Sequence, residues 1–194
     1  MAPCVRYARG VTFLQDLRQA TSSLHRQLDA DLRLDSAVTK ERYAAFLAGT
    51  LLVVDAVEHA LPYGEGDPKR STLLRADLKA LGRAPHPAAA DLLPSPANDG
   101  ERIGVAYVVE GSALGGLFLA KAIGPQLLLG PTHGTSFLRL RGEATAAHWR
   151  GFLHRLDDFG QEASVTMRAA ATRAAVTTFE AYTAAFRRTG ALSA

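Results

Sequence analysis

The residues best suited to hold or transform a ligand lie in two stretches, FLQDLRQATSSLHRQLDADL from Phe13 to Leu32 and EGSALGG from Glu110 to Gly116. The first carries one histidine, His25, with Asp29 four residues after it and Arg18 seven before. On a helix these steps place a carboxylate one turn away and a guanidinium two turns away, on the same side as the imidazole. Such a face offers a nitrogen ligand, an acid to orient it and a cation to clamp an anion. The second stretch supplies Gly111, Ser112, Gly115 and Gly116. Glycine inside a helix is roughly 1 kcal/mol worse than alanine, so a row of them requires a packing reason or a ligand reason. Gly104, Gly111 and Gly115 fall near one face, which suits either a tight helix crossing or a planar ligand lying against the backbone.

The elements that would position these residues read as helices. Phe13, Leu14, Leu17, Ala20, Leu24, Leu28 and Leu32 recur at three- and four-residue steps, giving one buried stripe with His25 at its edge. Thr39 is the expected N-cap of a second helix through Leu61, apolar nearly all round from Phe46 to Val54. Asp67 and Pro68 should start a third, ending at Gly82. Four prolines break the segment between Pro85 and Gly100, leaving His86 in exposed loop. VAYVV alone could be a strand, but the apolar pattern continues to Ile123, which favours helix. A loop with a brief turn at Gln126 to Leu129 should follow, then helices over Gly142 to Asp158 and Gln161 to Arg188. The expected fold is all-α, with five to seven principal helices in one domain over residues 11–190 and a flexible tail over residues 1–10.

Composition narrows the function classes. The chain of 194 residues is long enough for one substantial core, and its 22 basic and 19 acidic residues are interspersed, unlike the basic stripe of a nucleic-acid binder. Cys4 is the single cysteine, which rules out an internal disulfide and a thiolate metal cage. The opening residues lack a signal-peptide core and no run approaches the ~20 apolar residues of a membrane span, so a soluble, cytoplasmic protein is expected. Asp55 and His59 have metal-compatible spacing, and Glu58, His59, His148, His154 and Asp158 could be drawn into a di-iron centre, but they form no repeated ligand pattern. Flavin, dinucleotide and iron–sulfur fingerprints are absent from the sequence.

LRQATSSLH in the first helix, EGSALGG in the glycine-bearing helix, and Phe179 and Phe186 seven apart in the last are together similar to the haem oxygenase family. The resemblance is nearest its bacterial branch associated with phytochrome photoreceptors and covers about Phe13 to Phe186 in order and spacing. It implies a single-domain haem oxygenase-like fold in which haem, substrate and cofactor at once, lies between two helices. His25 would be the iron ligand and Asp29 its acidic partner. Gly111, Gly115 and Gly116 would pass over the porphyrin, with Gly111, Ser112 and Gly115 bordering the reaction. Arg18 and Arg155 would face the propionates. The implied reaction uses O2 and electrons from a separate reductase or ferredoxin-type donor to yield biliverdin, CO and ferrous iron, with a bacteriophytochrome as a biliverdin acceptor. Many members carry aspartate where this chain has Ser112, and a hydroxyl lacks a carboxylate's charge. That departure leaves room for a haem-binding or sensor protein without turnover.

Overall fold

A computed structural model describes residues 12–34, 38–61, 69–87, 89 and 92–192. The expected tail with Cys4, and the Asp67–Pro68 pair, lie outside the described residues. The described helices are α1 (Phe13–Leu32), α2 (Lys40–Val57), α3 (Arg70–Ala80), α4 (Asp99–Leu127), α5 (Ser136–Arg139), α6 (Thr145–Glu162) and α7 (Val165–Thr189). One all-α domain forms as the sequence indicates, with α7 packed along α4, α2 and α1.

Local signals explain most boundaries. Thr12 and Gln15 form a capping box, the Thr12 N–H donating to the Gln15 side chain at 2.8 Å, and Phe13 and Leu17 turn inward. Thr39 caps α2 by accepting from the Arg42 N–H at 3.2 Å. The helix buries Leu47 and Leu51 to Val54 almost completely and ends at Val57, with a 3-10 turn over Glu58–Ala60 replacing its expected last turn. Gly82 takes the left-handed conformation that closes α3, and His86 is exposed.

α6 runs over Thr145–Glu162 instead of Gly142 to Asp158, after a 3-10 turn over Gly142–Ala144, and three further stretches depart from expectation. α4 is longer at both ends: Asn98 caps it by accepting from the Glu101 N–H at 3.0 Å, and it runs through Pro125 instead of breaking there. Near that end the Gln126 side chain donates to the Ala122 carbonyl at 2.9 Å. α4 is also long and apolar enough to cross a membrane, contrary to the reading of the sequence, although much of it is buried inside the domain. α5 was not foreseen, because its cap comes from a distant element: buried Asp77 on α3 accepts from the N–H groups of Ser136 and Phe137 at 3.0 and 2.8 Å. Tyr43 braces the preceding loop by donating to the Gly134 carbonyl at 2.7 Å, and burial raises its phenol pKa far above the usual range. α7 starts at Val165 rather than Gln161, since Ser164 accepts from the Met167 N–H at 3.2 Å.

Candidate functional site

α1, α2, α4 and α7, with the segment around α5 and α6, surround a cavity of about 540 Å³. That lies within the range of small-molecule sites, roughly 300 to 1,000 Å³. His25 and Asp29 line it from α1, where the apolar stripe seats the helix and leaves its edge at the opening. His25 is 61% exposed, and its Nδ1 lies 2.9 Å from an Asp29 carboxylate oxygen. An Nδ1–H donated to Asp29 leaves Nε2 as the acceptor nitrogen. Phe179 meets the imidazole edge-on at 5.7 Å, so the ring is held on two sides.

Gly111, Ser112, Gly115 and Gly116 of α4 line the same cavity. The glycines serve different ends. A Cβ at Gly115 would meet nothing within 4 Å, and one at Gly111 would meet only the Trp149 ring, at 3.5 Å. At Gly116 a Cβ would lie 2.8 Å from the Leu138 carbonyl oxygen, so this glycine also lets α5 approach. At Gly104 it would run into the Ala171 carbonyl of α7. The tight-crossing reading of the glycine face holds at Gly104, and Gly115 faces open space. Ser112 donates its hydroxyl to the Val109 carbonyl at 2.9 Å.

Glu110 points elsewhere. It is 2% exposed, with Arg70 of α3 at 2.6 Å on one oxygen and Arg141 and His148 each at 3.2 Å from the other. Arg70 is equally buried and lines the cavity, as does Tyr182 of α7. Burial pushes the Tyr182 phenol up to about 12, against the opposing effect of Arg70. The midpoint of α4 is thus tied to α3 and to the segment leading into α6 by one carboxylate.

The structure brings His25, Asp29, Gly111, Ser112, Gly115 and Gly116 together. It does not bring Arg18 or Arg155 into the cavity wall: both are exposed, and Arg155 lies over the Phe152 ring at 5.7 Å. Asp55 is held by Arg75 through two hydrogen bonds, at 3.0 and 2.8 Å, and His59 lies 3.4 Å from the Ser95 hydroxyl. Glu58 accepts from the Ser71 backbone and hydroxyl. Among the described residues no three histidine, cysteine or acidic side chains converge on a metal position. In the sequence Trp149 and Tyr182 read only as members of apolar helix faces, and Arg70 gives no signal. Glu110 did give a signal, since one carboxylate inside the apolar run VAYVVEGSALGG must find buried partners.

Comparison with known proteins places the fold. The family model described as Heme oxygenase matches residues 11–188. No curated protein matches. Among solved structures, the NO- and CO-bound heme oxygenase from Neisseria meningitidis is similar at 26% identity and a TM-score of 0.75, over 95% of each chain. Heme oxygenase from Leptospira interrogans shares the fold at 18% identity and a TM-score of 0.72, over 92% of this chain and all of that one. With the family model spanning nearly every described element, this chain belongs to the haem oxygenase family of haem-degrading oxidoreductases.

Proposed function

We propose that this chain opens haem to biliverdin, releasing CO and ferrous iron, with O2 and electrons from a separate reductase or ferredoxin-type donor. The observation that carries the reading is a single cavity with His25 on one wall and the open backbone of Gly115 on another. Haem fits this donor set, since a neutral imidazole is a competent iron ligand and the missing side chains leave room for a flat ring. When bound, haem supplies both the iron that activates oxygen and the carbon that is oxidised.

The chain's own part is to seat and shield. His25 offers Nε2 while Asp29 fixes the ring's orientation. Gly111 and Gly115 keep the opposite wall flat, and Ser112 presents the acceptor side of a hydroxyl whose proton is engaged by Val109. We assign the propionates to Arg18 and Arg155, acting from outside the cavity wall, where a guanidinium can fork onto a carboxylate. Biliverdin would pass to a phytochrome-type photoreceptor.

His25→Ala should abolish the histidine-ligated haem spectrum. An unaltered spectrum in that variant would remove the assignment. The Ser112–Val109 bond favours one second reading, a haem-binding protein without turnover, because no acid stands at that point to hold a water network. Reduction in air of the haem-loaded protein separates the two: loss of the Soret band with growth of a red biliverdin band supports turnover, and a stable oxygen complex supports binding alone.

A further inference from the structure

We propose that Trp149 is the specificity-determining side chain of this cavity, the wall that sets how a macrocycle is seated and hence which edge of it is oxidised. The proposal rests on the haem reading above. Trp149 is the chain's single tryptophan. It lines the cavity from α6, half-buried, and its ring lies 3.5 Å from where a Cβ of Gly111 would stand. One turn further along α4 nothing stands within 4 Å of the same construction at Gly115. Along the cavity the glycine face therefore meets one indole at Gly111 and open space at Gly115.

The indole is held in place. Phe152, 1% exposed, stacks on it at 5.4 Å and 18°, Tyr107 of α4 meets it at 6.2 Å, and Arg155 lies over the Phe152 ring at 5.7 Å. A ring packed this way has few rotamers open to it and presents a fixed edge to a ligand. Exclusion by one packed surface discriminates between similar poses by roughly 10- to 200-fold, enough to favour one seat.

The test compares wild type, Trp149→Ala and Trp149→Phe, each loaded with haem. Proton NMR of the cyanide complex reads the haem methyl shifts, which report ring seating without turnover, and chromatography reads the biliverdin isomers. Wild type should show one dominant set of methyl resonances and one isomer. Trp149→Ala should add a second set and a second isomer at about a tenth of the total or more. Trp149→Phe, which keeps the stack, should return most of the wild-type pattern and serves if the alanine variant folds poorly. Identical methyl shifts and isomers in wild type and both variants overturn the proposal, as does a wild type already mixed. A wild type with no His25-dependent haem spectrum removes the underlying reading as well.

Discussion

Gly104 and Gly115 lie on the same face of the same helix, three turns apart, and the molecule uses them in opposite ways. At Gly104 the missing side chain lets α7 come so close that an added Cβ would collide with the Ala171 carbonyl, with its carbon at 2.9 Å and Ala171 Cα at 3.0 Å. At Gly115 the missing side chain faces open cavity. One glycine is a packing device and the other a binding device, so the first should be read out in stability and the second in ligand affinity. Between them Glu110 fastens the middle of α4 to α3 and to the approach to α6.

The sharpest way to strain this division is to remove its fastener. Glu110→Ala takes away the carboxylate shared by buried Arg70 and Arg141, and loss of one partner of a buried ion pair costs about 3–5 kcal/mol. Denaturant unfolding should show that loss, and a variant as stable as wild type would mean that the cluster contributes nothing net to folding. Gly104→Ala follows at about 2 kcal/mol or more, because separating α4 from α7 outweighs the gain in helix propensity. It should lower the melting temperature while leaving the His25-dependent haem spectrum of the folded fraction in place. Gly115→Ala is the smallest and opposite in sign, a gain of about 1 kcal/mol in stability from helix propensity alone. The same methyl group should weaken haem binding about tenfold, measured by Soret titration. If Gly104→Ala proved neutral in stability, or Gly115→Ala neutral in affinity, the contrast between the two glycines would fail.

Much of the fold could be read from residues. α1 begins and ends where the stripe from Phe13 to Leu32 indicates, since that signal is local. Thr39 and Gly82 likewise mark helix ends through their own chemistry. α5 is not legible in the sequence because Asp77, 59 and 60 residues before the groups it accepts from, organises it, and no window on the sequence joins them. The site was legible in its one-helix parts. His25 with Asp29, and Gly111 with Gly115, are spaced by helical geometry and remain so in the structure.

By itself the sequence determined an all-α domain, an imidazole paired with a carboxylate at the edge of an apolar stripe, and a bare face on a later helix. Each follows from 3.6-residue periodicity and from what individual side chains can do. It could not separate Gly104 from Gly115, because the same periodicity puts both on one face. Only the tertiary structure decided that. About 16 Å of helix separates the two residues, at 1.5 Å per residue, and over that distance the neighbour changes from the backbone of α7 to open cavity. Which partner each glycine meets is set by how helices cross, and the crossing is a property of the whole core.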